Sequence, residues 1–149
     1  MSDDSARELG TALALKTDAQ GLFTVVAVDA DTEAVLMVAH MNRAALDRTL
    51  ATRRATYWSR SRQKFWVKGE ESGHEQEVRE IWIDCDQDAI VLKVRQKGAA
   101  CHNGYRSCFY RRLRWSADNP AAVVLEFAAS PVVDPQQVYS PAKHRNASP

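Results

Sequence analysis

The sequence predicts an α+β fold, a mostly antiparallel β-sheet with one principal helix in a single domain. Three observations predict it. Residues Gln76 to Lys97 alternate with period two around a central turn, Leu22 to Met41 hold two β-rich runs split by turn residues, and Asn42 to Arg53 carry the helical signal. The length agrees, because 149 residues make one domain of ordinary size that buries roughly two thirds of its unfolded surface without disulfide staples.

In chain order, Gly21 precedes the run Leu22 to Val28, and Asp29-Ala-Asp-Thr turns the chain into Val35 to Met41, a hairpin. Asn42 is a good N-cap for a helix reaching about Arg53, with Leu46 and Leu50 on one face. Short strands are expected at Ala55 to Arg60 and Phe65 to Lys68. In the next strand Ile81, Ile83 and Cys85 share one side and Trp82 and Asp84 the other. After a turn at Asp86 to Asp88, Ile90, Leu92 and Val94 resume the alternation. All five prolines lie after residue 119, so residues 1–117 read as the functional unit and 118–149 as an extension. Its apolar patch, Ala121 to Ala128, is expected to add an edge strand before a loose Ser/Pro-rich tail.

Composition excludes several functions. A net charge of +1 argues against a nucleic-acid binder, and no apolar run approaches the roughly 18 residues of a membrane span. The first ten residues lack the order of a secretory signal, so a cytoplasmic location is expected. Dinucleotide, P-loop and serine-hydrolase motifs are missing. Three cysteines cannot all pair within one chain, which in a reducing compartment favours structural, metal-binding or catalytic thiols.

Four clusters carry chemistry. Asp84, Asp86 and Asp88 stand at alternate positions, where their carboxylates form either a solvated acidic turn or a seat for a hard cation such as Mg²⁺. The spacing does not fit an EF-hand, since Ala89 and Arg95 fall where Gly and Glu belong. Cys85, Cys101 and Cys108, with His102 beside the second, suit a zinc ion that keeps one open position for water, unless the thiols merely fill core. Arg53 to Lys68 holds six basic residues, four aromatics and no acid, suiting phosphates and a stacked base or else a solvated hairpin. In Lys68 to His74, two glycines frame polar side chains, and His74 or His102 can carry a proton near neutral pH.

The stretches VLMVAHMN, YWSRSRQKFWVKGEESGH, DCDQD and CHNGYRSCFYR, in that order from about Gly21 to Arg111, resemble the phosphoribosyl-AMP cyclohydrolase family of histidine biosynthesis. The resemblance implies an intertwined homodimer that uses zinc and magnesium to hydrolyse the N1 to C6 bond of the adenine ring of phosphoribosyl-AMP. It implies zinc held by Cys101 and Cys108 of one subunit and Cys85 of the other, magnesium held by Asp84, Asp86 and Asp88, and His102 or His74 as proton carrier. Ser59, Arg60, Ser61, Arg62, Trp66, Lys68 and Ser72 are the expected substrate contacts. The sequence departs from the family pattern at Gln87, where Gly is expected, at Glu71, which replaces Thr, and at His40, which replaces Tyr. No pyrophosphohydrolase module accompanies these motifs, so no hydrolysis of phosphoribosyl-ATP is expected.

Three other readings compete. A zinc-dependent nucleobase or nucleoside deaminase would need the H-x-E and P-C-x-x-C signature, which is missing. A zinc-stabilised nucleic-acid module conflicts with the near-zero net charge and the acidic cluster. A redox-sensing thiol protein would show reversible pairing of Cys101 with Cys108.

Overall fold

The computed structural model describes residues 3–138. Its centre is a four-stranded sheet in the order β2-β1-β6-β5, built from β1 (Phe23–Asp29), β2 (Val35–Met41), β5 (Gln76–Ile83) and β6 (Ala89–Gln96). Two antiparallel hairpins, β1–β2 and β5–β6, lie side by side, so the central pair β1–β6 runs parallel. The sheet is therefore mostly antiparallel, with one parallel seam at its middle. Val25, Leu92 and Val94 are fully buried along that seam. A small hairpin, β3 (Thr56–Ser59) with β4 (Lys64–Val67), packs beside β2.

The principal helix, α2 (Arg43–Thr52), starts where expected, the Asn42 side chain accepting a hydrogen bond from the Ala45 N–H at 2.8 Å. It ends at Arg53, whose φ of 60° is left-handed. Leu46 is buried on the core side, but Leu50 is 54% exposed, so the expected shared face meets the core only at its N-terminal half. Thr49 takes the inward place instead, its hydroxyl donating to the Ala45 carbonyl and accepting from the Thr56 N–H.

Strand β5 departs from its simple alternation. A register shift between Val78 and Glu80 changes its parity, so Ile81 rather than Glu80 packs towards the core with Gln76 and Val78, while Trp82 on the other face and Ile83 at the strand end are exposed. The buried amide of Gln76 is fully used. It accepts from the Tyr57 hydroxyl at 2.6 Å and donates to Gln96 at 2.8 Å, and Gln96 in turn donates to the His74 and Lys97 carbonyls. Burial pushes the Tyr57 phenol far above its usual range, so it serves as a donor at every relevant pH.

A strand does form in the apolar patch of the extension. β8 (Asn119–Phe127) pairs not with the main sheet but with β7 (Arg111–Ser116), in a ribbon of its own. The division expected at residue 117 thus falls in a hairpin turn. Every residue of the ribbon is exposed, Leu113, Trp115, Val124, Leu125 and Phe127 included. Two short helices, α1 (Asp3–Leu9) and α3 (Pro135–Val138), carry no signal the sequence reading used. The expected loose end of the tail, 139–149, lies outside the described residues. No helix among them is long and apolar enough to cross a membrane.

Candidate active site

The loop after β6 is shaped by close approaches. Gly98 and Gly104 have φ of 65° and 87°, and a Cβ on Gly98 would stand 2.6 Å from the His74 ring. Between these glycines the chain doubles back, the Ala100 N–H donating to the Arg106 carbonyl and the Cys101 N–H to the Tyr105 carbonyl, both at 3.1 Å. Cys108 is then fastened to β2 by its N–H, which donates to the Leu36 carbonyl at 2.7 Å. Folding back sets the thiols of Cys101 and Cys108 in contact, and burial followed by the Cys101 thiol pushes Cys108 up to about 11.

Arg106 braces this loop. Its guanidinium donates to Asp29 on β1 at 2.7 Å and to the Gln96 and Gly98 carbonyls. Asp29 is held below the usual carboxylate range chiefly by the Thr32 N–H, with burial opposing and Arg106 assisting. On the other side the buried Lys68 ammonium donates to the Ala100 carbonyl and lies 5.5 Å from the centre of the Trp66 ring. Burial lowers the Lys68 pKa, and the two neighbouring thiols oppose that shift.

These elements wall a cavity of about 450 Å³, into which Arg62, Trp66, Lys68, Ser72, His102 and Cys108 all project from the expected set. A second cavity of about 720 Å³ opens beside it, lined by Ser59, Arg60 and Ser61 and sharing Arg62 and Trp66 with the first. The cluster of basic residues thus borders one two-lobed groove. In its turn Ser59 accepts from the Arg62 N–H and Nε, each at 3.3 Å. His102 lines the first cavity, whereas the His74 ring sits beneath the loop against Gly98.

The acidic turn lies between β5 and β6. The Asp84 carboxylate accepts from the Asp88 and Ala89 N–H groups at 3.0 and 3.2 Å, which closes the turn. Oxygens of Asp84, Asp86 and Asp88 lie within 4.8 Å of one another, and among the described residues no other group of three potential metal ligands converges so. Burial raises the Asp84 pKa, but its hydrogen bonds, that with Asp88 foremost, outweigh this and hold it low. The same bond raises Asp88. Three acceptor-only groups that repel one another fit a hard cation. The three thiols do not converge within one chain, since Cys85 is exposed on the acidic turn, away from the touching pair Cys101 and Cys108.

Sequence reasoning missed several contributors. Met37 and Phe109 give the first cavity an apolar wall, and Arg106 stabilises the thiol loop through a residue 77 positions away. Only the alternation of β2 hinted at the first, and no local signal reveals the last.

The model of the family described as phosphoribosyl-AMP cyclohydrolase matches residues 37–110. A phosphoribosyl-AMP cyclohydrolase of Rhodopseudomonas palustris strain TIE-1 is 56% identical over 133 residues, covering 89% of this chain and 87% of that protein. One of Methanococcoides burtonii is 52% identical over 125 residues, covering 84% and 95%. One of Chlorobium limicola is 46% identical over 139 residues, covering 93% and 97%.

Proposed function

The chain belongs to the phosphoribosyl-AMP cyclohydrolase family, and from that premise we propose that it opens the adenine ring of phosphoribosyl-AMP by hydrolysing the N1 to C6 bond, a step of histidine biosynthesis. One observation carries the reading to this chain: six of the expected site residues, from two separate stretches of sequence, border a single cavity.

Ribosylation at N1 leaves the purine electron-poor at C6. A water oxygen adds there, the C6–N1 bond breaks, and N1 leaves with a proton, so that C6 becomes a carboxamide carbon. His102 lines the cavity wall, and its imidazole is the group that would deliver that proton. The Trp66 face offers a stacking surface for the base. Arg60 and Arg62, with the Ser59 and Ser61 hydroxyls, offer donors to phosphate oxygens in the second lobe.

Zinc, when bound, would lower the pKa of the attacking water towards 7. Cys101 and Cys108 would hold it together with Cys85 of the partner subunit, and Asp84, Asp86 and Asp88 would hold Mg²⁺. An exposed Cys85 supports sharing, because a thiol outside its own core is free to enter a neighbour's. The exposed apolar ribbon β7–β8, with Trp82 and Ile83 at the end of β5, supports an intertwined homodimer. Because Cys85 stands between Asp84 and Asp86, sharing it would carry the acidic turn to the rim of the partner's cavity and place both metals at one site.

The test is metal analysis of the purified protein paired with a spectroscopic ring-opening assay on phosphoribosyl-AMP. Zinc in proportion to chain and turnover that requires added Mg²⁺ are expected. A zinc-loaded dimer that leaves the substrate intact would overturn the reading.

A further inference from the structure

Gln87 is an anomaly inside the acidic turn. It has φ of 59°, a region that strains a residue with a side chain and leaves glycine unstrained, and it is buried between carboxylates that reach solvent. The buried amide is completely occupied by the N-terminal arm, residues 3–16. The Ala14 N–H donates to Gln87 Oε1 at 2.7 Å, and Gln87 Nε2 donates to the Arg7 and Ala12 carbonyls at 2.9 and 3.2 Å. The backbone joins in, the Lys16 N–H donating to the Gln87 carbonyl at 2.7 Å. Arg7 Nε closes the arm on itself by donating to the Ala14 carbonyl at 2.9 Å.

We propose that Gln87 is a positioning residue for divalent-cation binding, and that through it the N-terminal arm holds the Asp84–Asp86–Asp88 turn in its cation-ready shape. The inference rests on the reading of that turn as the magnesium site. Three carboxylates within 4.8 Å repel one another, so a loosely held turn splays them apart and must draw them together again when the cation arrives. Gln87 opposes the splaying. It stands between Asp86 and Asp88, its own N–H donates to the Asp84 carbonyl at 3.2 Å, and its side chain and carbonyl are tied to the arm. Organisation paid before binding strengthens affinity without adding any ligand.

The discriminating variant is Gln87→Gly, which keeps the three acids and relaxes the backbone but releases the arm. If turn shape alone mattered, glycine would bind the cation as well or better. A second variant, Ala14→Pro, leaves the turn untouched and removes the N–H that reaches Gln87 Oε1. Mn²⁺ serves as the probe, titrated into the full-length protein and followed by the spin-resonance signal of the free ion, with zinc content and melting temperature as controls. Mn²⁺ affinity is expected to fall roughly tenfold in Gln87→Gly and about threefold in Ala14→Pro, the tenfold loss equal to about 1.4 kcal/mol. The double variant should be no worse than Gln87→Gly alone, because both act through one contact. Unchanged Mn²⁺ affinity in Gln87→Gly overturns the proposal while leaving the cation site standing, and should that variant not fold, unchanged affinity in Ala14→Pro overturns it. Failure of the wild-type protein to bind Mn²⁺ overturns the cation site and the positioning role together.

Discussion

The thiol loop at 97–108 and the acidic turn at 84–88 both hold groups that repel one another once ionised, and they do so by opposite means. The thiol loop is braced from within the fold, by Arg106 reaching Asp29 on the central strand and by a buried Lys68 on the Ala100 carbonyl. The acidic turn is exposed at the sheet's end and is held by its own N–H groups and by an arm from the chain terminus. The first is therefore coupled to global stability, and the second can loosen while the core stays intact.

The widest gap between the two regions should open on removing a thiol. Cys101→Ser or Cys108→Ser is expected to lose zinc and to lower turnover by more than about a hundredfold, the upper range for loss of a mere supporting group, while circular dichroism still reports a folded chain. Full activity in either variant would remove these residues from the ligand set. Next, Arg106→Ala leaves an almost buried Asp29 without its guanidinium and should cost about 2 kcal/mol in urea unfolding. If the loop were not coupled to the core, the unfolding midpoint would stay where it is.

Asp86→Asn should act on the other region only. It is expected to raise the Mg²⁺ concentration needed for half-maximal turnover by about tenfold, with zinc content and unfolding unchanged, since one charged ligand is lost without touching the core. The smallest effect concerns acid. Asp29 is held below its ordinary value in the folded chain, so its contribution is fully present above about pH 4 and fades as pH falls through the lowered folded value. Asp29→Asn should therefore flatten the acid side of the stability profile, and an unaltered slope below pH 4 would show that the fold does not hold the Asp29 carboxyl low.

The two regions also differ in how they could be read beforehand. DCDQD announces its three carboxylates by spacing, because neighbouring residues in a turn stay neighbours in space. The cap at Asn42 and the alternation of β6 were legible for the same local reason. The Asp29–Arg106 pair was not, since nothing near either residue names a partner 77 positions away. The bulge before Glu80 was hidden because one unpaired residue brings Ile81 instead of Glu80 to the face of Gln76 and Val78 without altering the local apolar pattern of Ile81 and Ile83. Leu50 misled for a related reason: helical spacing gives a shared face but not how far the core extends beneath it. The β8 strand was expected from its composition, yet its pairing with β7 depended on a connection that composition does not encode.

The parallel seam at the middle of the sheet has a consequence during synthesis. Thr24 pairs beside Ala89, so the inner edge of the first hairpin has no neighbour until about 65 further residues have been made. At roughly 5 to 20 residues per second, that edge stands open for several seconds as the chain leaves the ribosome. An apolar strand with unmet backbone donors is a template for the wrong neighbour, and nascent chains of this protein are expected to depend on chaperones during that interval.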